Sequence, residues 1–348
     1  MKTGRPLPEV LTELKRQNEA KRDYISPSSF LAFQDGKLTM DHVGPKDSMS
    51  FGMTDLFHRQ VGAALSIPAK YYDLMRKEKP DLLAANVNTW LGDREQSYMI
   101  RTMDGQARAF LSDHYRRIDN LDVASATLPL FAGVEGMEVM SSEVTDHRLY
   151  LKVVDHLREV TCVGDRVQFG IVISNSEVGL GAVSVQPLVY TLACTNGMIV
   201  NSLGERKTHV GRQVRALEDG FAIYSDETLE AEDKAFLLKL RDVATAVFDE
   251  ARQNMIVDKL TEAAGARITG RVQDVVELTG RNFGLSIPEQ DDVLNYLIQG
   301  GDLSLHGLSN AITRASQDVP SYDRATEMEG IGWTVATMPA SQWKEMNS

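Results

Sequence analysis

Cys194 and Glu177 are the two side chains whose type and setting could support a reaction. A thiolate is stabilised by nearby positive charge, and Lys207 and His209 follow Cys194 closely enough in the chain to supply it. A cysteine that ends a strand also packs as a small hydrophobe, which needs no reactivity. Glu177 lies in the turn Asn175-Ser176-Glu177-Val178-Gly179 and Asp165 follows Gly164 in another turn, so the two carboxylates could serve acid/base or metal chemistry if those turns met. They sit at opposite ends of one strand, roughly 40 Å apart if it is straight, and do not meet within a subunit without strong bending. Turn chemistry accounts for the same residues: Asn, Ser and Asp bond their own backbone, and Gly164, Gly179 and Gly197 supply conformations closed to other residues.

Other chemistry is missing at the level of motif. No GxGxxG follows a strand, and neither a GxxxxGK[ST] loop nor a GxSxG elbow is present. Cys162 and Cys194 are the two cysteines; they form no CxxC, and no histidines cluster at metal-ligand spacing, so no disulfide framework, metal site or cofactor is expected.

Binding is the alternative to catalysis. Arg206, Lys207, Arg212 and Arg215, with His209 among them, face Glu205 alone in the densest basic stretch of the chain. Such a stretch can neutralise several backbone phosphates, or can be a surface loop whose charges pair with the acidic remainder of the protein. Arg101, Arg108, Arg116 and Arg117 add cations along or just after a hairpin centred on Asp104-Gly105, the dipeptide suited to a tight turn. At a period of two, Arg101 shares a sheet face with Met99 and Met103. The chain as a whole carries 37 Lys+Arg against 49 Asp+Glu, a net −12, so attraction to a polyanion would have to be local.

These residues need elements to hold them. With 348 residues and 43% hydrophobic content the chain can bury a large core. Its N-terminus lacks the apolar centre of a signal peptide and no run of about 18 apolar residues occurs, so no membrane insertion and a reducing cytoplasm are expected. Residues 1–24 read as a solvated, partly frayed helix or an arm on a partner, and 25–50 as loop with short extended pieces. Helices are expected over 54–64, after the Ser66-Ile67-Pro68 break, over 80–91 and over 121–132, with His58, Arg59 and Gln60 on a solvated face. Strands follow to Thr145–His147 and beyond, then the long pair around Asn175, where Gln168, Gly170, Val172 and Ser174 alternate with Phe169, Ile171 and Ile173. A helix over 228–264, with Phe236, Leu240, Val243, Val247 and Ala251 on one stripe, would span roughly 50 Å and lie across the sheet. Shorter helices complete the chain, one carrying Asn310, Thr313 and Arg314, whose polarity helix hydrogen bonds explain. The expected fold is α+β: an antiparallel meander of about six strands covered by a long α-helix, with helical N-terminal and C-terminal parts. The division is 1–50 arm and loop, 51–264 core, and 265–348 helical region.

Gly164-Asp165, Gly170, Asn175-Ser176-Glu177-x-Gly179 and the corner Cys194-Thr195-Asn196-Gly197 resemble the signature of the phage- and plasmid-borne family called domain of unknown function nine-three-two. Leu65-x-Ile67-Pro68-x-x-Tyr71, Phe110-Leu111-Ser112-Asp113-x-Tyr115-Arg116 and Asn310-Ala-Ile-Thr313 extend the resemblance over about residues 50–330. It implies a mobile-element protein of a bacterial cytoplasm and structural roles for the signature residues. The architecture is similar to the single-strand annealing proteins of the Rad-fifty-two, Erf and Red-beta kind. That similarity implies a homo-oligomer that binds single-stranded DNA in a basic groove without catalytic residues. Arg101, Arg108, Arg116, Arg117, Arg206, Lys207, His209, Arg212 and Arg215 would then have to share one face. Two other classes stay open: a counter-defence protein that binds a host protein or small ligand, and an enzyme centred on Cys194 or Glu177.

Overall fold

Alternation at a period of two, closed by Gly- and Asn-containing turns, accounts for most of the strands, and the computed structural model describes residues 1–41, 48–181, 183–201, 205–207, 226–246 and 248–347. Helix α1 (Leu7–Ala20) leads into strands β1 (Arg22–Pro27), β2 (Leu31–Gln34), β3 (Lys37–Asp41) and β4 (Ser48–Met53). Three helices follow, α2 (Asp55–Ala64), α3 (Ala69–Glu78) and α4 (Pro80–Gly92), then the hairpin β5 (Ser97–Met103) and β6 (Gln106–Ser112) and helix α5 (Asn120–Thr127). The meander is β7 (Met137–Val144), β8 (Leu149–Cys162), β9 (Asp165–Asn175), β10 (Val183–Thr191) and β11 (Asn196–Ile199), with β12 (Glu205–Lys207) beside it. The remaining helices are α6 (Asp226–Ala246), α7 (Glu250–Gly265), α8 (Val272–Phe283), α9 (Ile287–Gly300), α10 (Leu305–Ala315), α11 (Tyr322–Ala336) and α12 (Ala340–Met346).

The class is α+β, and the antiparallel meander is present, but it is one of two sheets. The second sheet runs β11-β10-β9-β8-β7, all antiparallel, with β12 on β10. The Asp104-Gly105 hairpin does not join it. Its strands stand in a first sheet ordered β1-β5-β6-β4-β3-β2, in which β4 and β6 alone are parallel. The stretch read as loop with extended pieces therefore supplies most of that sheet. Its strands are only four to six residues long, too short for alternation to mark them; β2, β3 and β4 pair in succession, and β1 pairs with the distant β5.

The expected single helix over 228–264 is two helices. Asp249 interrupts it: its carboxylate accepts from the Ala251 N–H (2.9 Å) and the Arg252 N–H (3.4 Å), capping α7. Phe236, Leu240 and Ala244 of α6 pack with Leu151, Ile171, Ile173 and Val183 of the sheet. Ile256, Leu260 and Ala263 of α7 continue onto Val167, Phe169 and Val189. Helix α1 is no solvated arm, since Val10 and Leu14 are buried in the same core as α6.

Helices α2 to α4 cover the first sheet through Phe57, Val61, Tyr72, Met75, Leu83 and Val87. Of the polar group His58, Arg59 and Gln60 on α2, Arg59 is exposed as expected, but His58 and Gln60 are turned inward. His58 is buried, its Nδ1 2.9 Å from the Tyr72 hydroxyl, and burial with the nearby Arg76 pushes its pKa down to about 4. Gln60 links the sheets: its amide donates to Val178 O (2.7 Å) and its oxygen accepts from Phe110 N (2.8 Å).

Candidate functional site

The turn 175–179 ends β9 where the second sheet meets the first, and its geometry is set by its own polar atoms. Asn175 Nδ2 donates to Ile118 O (3.0 Å) and to Asn120 Oδ1 (2.8 Å), and Ser176 Oγ accepts from Leu180 N (3.2 Å). Gly179 adopts φ +78°, which strains any other residue there, and a Cβ would lie 2.5 Å from Leu111 Cδ2, so that side chain would have to shift. Glu177 is buried with its carboxylate engaged: Oε1 accepts from the Asn120 N–H (2.7 Å) and Oε2 from Arg108 Nη2 (2.9 Å), while Lys21 Nζ lies 3.5 Å from Oε1.

A second layer of charge surrounds that turn. Arg101 is 1% exposed; it donates Nε and Nη2 to the two oxygens of Asp23 (2.8 and 3.0 Å), Nη2 also to Asp119 Oδ1 (2.9 Å), and Nη1 to Glu177 O (2.9 Å). Lys21 Nζ reaches Asp119 Oδ2 at 2.6 Å. Burial works against ionisation of Asp119, but Arg101 and Lys21 outweigh it and hold its carboxyl below the usual carboxylate range. Lys21, Arg101 and Arg108 thus meet Asp23, Asp119 and Glu177 in a cluster that fastens the sheets, and Asp122 beside it is pushed up by burial and by the Asp119 and Glu177 charges.

This burial corrects the expected phosphate-binding set. Arg101 and Arg108 point into the cluster. Arg116 is also inside, with its guanidinium 5.6 Å over the Phe236 ring and 3.4 Å from Glu232. None of the three can present a guanidinium to a nucleic-acid backbone. Arg117 remains largely exposed, 3.7 Å from Asp23. Arg206 and Lys207 belong to β12, where Arg206 stands opposite Ser184 and Lys207 opposite Val183. His209, Arg212 and Arg215 lie outside the described residues.

Two open depressions flank the second sheet. One, of about 740 Å³, crosses β8 to β11 under α11 and is lined by Arg148, Tyr150, Ser174, Ser184, Asn201 and Arg324. Strand β12 borders it, because Ser184 is both a lining residue and the partner of Arg206. His147 Nδ1 lies 3.3 Å from Asp323, and burial together with Asp323 pushes the Tyr150 phenol up. The other depression, about 840 Å³, lies at the far end of the sheet against α9 and α10. It gathers Asp165, Cys194, Asn196, His306, Asn310 and Arg314 from distant parts of the chain. Asn196 Nδ2 donates to Asn310 O (3.3 Å), and Gln317 Nε2 donates to Asn196 Oδ1 (2.6 Å). Asp165 is at this end and Glu177 at the other, so the two carboxylates stay apart as the strand length requires.

Cys194 is exposed in this cleft and is not the packed strand-end residue expected, while Cys162 is buried. Burial with the neighbouring Asp165 pushes the Cys162 thiol up to about 11. Iodoacetamide at neutral pH should therefore label Cys194 and spare Cys162 until denaturant is added. Peptide mass mapping reads this directly, and early labelling of Cys162 would show that the β8–β9 end opens.

Sequence reasoning missed the pair Lys152–Glu329, both fully buried at 2.6 Å, with the Lys152 ammonium 4.8 Å over the Tyr322 ring. A lysine within the apolar alternation of β8 was the available signal. Compared with protein-family models, curated proteins and solved structures, the chain matches none.

Proposed function

We propose that the chain is a phage or plasmid protein of DNA metabolism that binds single-stranded DNA in a bacterial cytoplasm. It acts as a homo-oligomer and promotes annealing without catalytic chemistry. The observation that carries this reading is the pairing of β12 with β10, which sets the start of the basic stretch at the border of the groove crossing the meander. Arg148 lines the same groove, as do Asp323 and Arg324, the latter paired with Glu289 and Glu327. An annealing protein needs cations along a groove and bases left unpaired, and it needs no reacting group. The engagement of Glu177, Asp119 and Asp23 within the fold fits that requirement. No helix among the described residues is long and apolar enough to cross a membrane. The signature resemblance of the Asn175 and Cys194 turns supports the mobile-element part of the reading.

The test is a salt titration of binding to a labelled single strand. The wild-type chain should bind tightly at low salt with a steep negative slope. The Arg206→Ala/Lys207→Ala variant should bind more weakly, with a slope shallower by about 1.4, because each neutralised single-strand phosphate contributes about 0.7. Absence of binding at low salt would sink the proposal, and an unchanged slope would move the groove away from β12.

A further inference from the structure

We infer that α2 and α3 form a helix-turn-helix unit, with α3 the helix that enters the major groove of duplex DNA. The inference stands on a surface of the first sheet's helices and is independent of the single-strand groove beside β12. It starts from the connection. Helices of ten residues each are joined by residues 65–68 alone. Ser66 takes the left-handed conformation, φ +58°. Ile67 N–H donates to Gly62 O (2.9 Å) and Ser66 N–H to Ala63 O (3.1 Å), the paired bonds of a helix end that turns the chain sharply. Pro68 then starts α3, its carbonyl accepting from the N–H groups of Tyr71 and Tyr72. A short turn of this kind between two helices is the frame of the DNA-binding motif.

The two helices are locked at one crossing. A Cβ at Gly62 would come 3.0 Å from the Tyr72 ring, so glycine permits the close approach, and the Tyr72 hydroxyl meets His58 of α2. Val61, Leu65, Ile67, Tyr72 and Met75 are all buried on the inner side, and α4 closes the unit from behind. Each helix therefore has a defined inner face, and α3 is held rigidly with its other face outward.

That outer face has the chemistry of a groove reader. Lys70, Tyr71, Leu74 and Lys77 are exposed on it, with the exposed Asp73 and Glu78 beside them, and Tyr71 and Leu74 are large apolar side chains left outside the core, at 45% and 49% exposure. From Ala69 to Lys79 the sequence has four basic residues (Lys70, Arg76, Lys77, Lys79) against two acidic ones (Asp73, Glu78), in a chain of net −12. Arg76 pairs with Asp55 of α2 at 2.8 Å, whereas Lys70, Lys77 and Lys79 form no ion pair with another described residue. Ammonium groups flanking an aromatic and an aliphatic side chain suit phosphates at the groove edges and thymine methyl groups on its floor. A helix about 10–12 Å across fits a groove about 12 Å wide.

The experiment compares the full chain on a labelled duplex of about 20 base pairs, two helical turns, and on one of its strands. Wild-type protein should bind the duplex with a negative salt slope. Lys70→Ala/Lys77→Ala should make that slope shallower by about 1.8, two phosphate contacts at about 0.9 each, and leave single-strand binding unchanged. Tyr71→Ala/Leu74→Ala should weaken duplex binding at fixed salt without moving the slope. Guanine N7 methylation, which blocks the major groove, should reduce binding. Arg206→Ala/Lys207→Ala should spare the duplex, so failure here and failure of the single-strand reading are separable. No duplex binding by wild type, an unchanged slope in Lys70→Ala/Lys77→Ala, or insensitivity to N7 methylation would overturn the inference. A fall in particle mass by light scattering in the Tyr71/Leu74 variant, with duplex binding intact, would also overturn it by assigning the face to self-association.

Discussion

Lys152→Met should destabilise the protein by about 3–5 kcal/mol, the cost of leaving one member of a buried ion pair without its partner. Lys152 and Glu329 are each 0% exposed and 2.6 Å apart, so solvent cannot replace the lost ammonium. Among the described residues the Glu329 carboxylate then keeps the Lys2 N–H at 3.4 Å and the attraction of the Met1 ammonium, weaker support than the contact ion pair. Glu329→Leu alone should cost a similar amount, for it strands the ammonium between β8 and α11. The double variant Lys152→Met/Glu329→Leu should be markedly more stable than either single one, because it removes both desolvation penalties at once. Burial alone would lower the Lys152 pKa, but Glu329 and Tyr322 hold it above its ordinary 10.5. A raised cation contributes stability that is complete below the unfolded pKa and is lost only as pH rises through the folded one. That contribution of Lys152 is constant through neutral pH, whereas the stranded Glu329 of Lys152→Met is pushed up by burial, so the gap should narrow as pH falls toward the ordinary carboxylate range. Urea midpoints with unchanged m-values check this. Two single variants that cost as little as a surface ion pair would show that water reaches the pair.

The strands were legible where a local pattern closes locally. The β5–β6 hairpin turns on Asp104 and Gly105, both at positive φ, and β7 to β10 follow one another through short turns, so alternation and turn residues identified them. The strands β1 to β4 were not legible, because at four to six residues each they carry too little alternation, although Asp35 and Gly36, both at positive φ, close β2–β3 as Asp104 and Gly105 close β5–β6. Arg22 to Pro27 pairs with Thr102 to Ser97, 70 to 80 residues on, and a Ser-Pro segment has no signal for so distant a partner. The break between α6 and α7 was hidden by an apolar stripe that runs through it, while the deciding atom is one Asp249 carboxylate oxygen. Charges were the hardest to read. A sequence shows that Arg101 is a cation, but whether it faces a phosphate or Asp23, 78 residues away, depends on the meeting of two sheets. The Cys194 cleft shows the converse: Asp165, Cys194 and Asn310 were each noticed separately, and tertiary structure alone brings them to one wall.

Arg101→Leu should be the second strongly destabilising change, again by about 3–5 kcal/mol, and its effect should be confined to the contact between the sheets. The substitution leaves Asp23 without a bidentate partner and Asp119 with Lys21 alone, while the Glu177 carbonyl loses its donor. Amide exchange should accelerate in β5, β6 and residues 175–179, and the centre of β8–β9 should keep its protection because its ladder and α6 cover are untouched. Acid sensitivity gives a second readout. Asp119 is held below its ordinary 3.8, so its contribution is present above that pH and lost as pH falls through the depressed value. Without Arg101 that depression shrinks, and the acid limb of unfolding should move to higher pH. Arg101→Lys should fall between the two, since an ammonium restores the charge but cannot bridge Asp23 and Asp119 with a fixed fork. Uniformly faster exchange across both sheets, or an acid limb that does not move, would mean that Arg101 supports the whole fold and not this junction. The localised outcome would make the Asn175–Gly179 turn a fastening whose charged residues, Arg101 and Arg108 among them, serve the sheet contact.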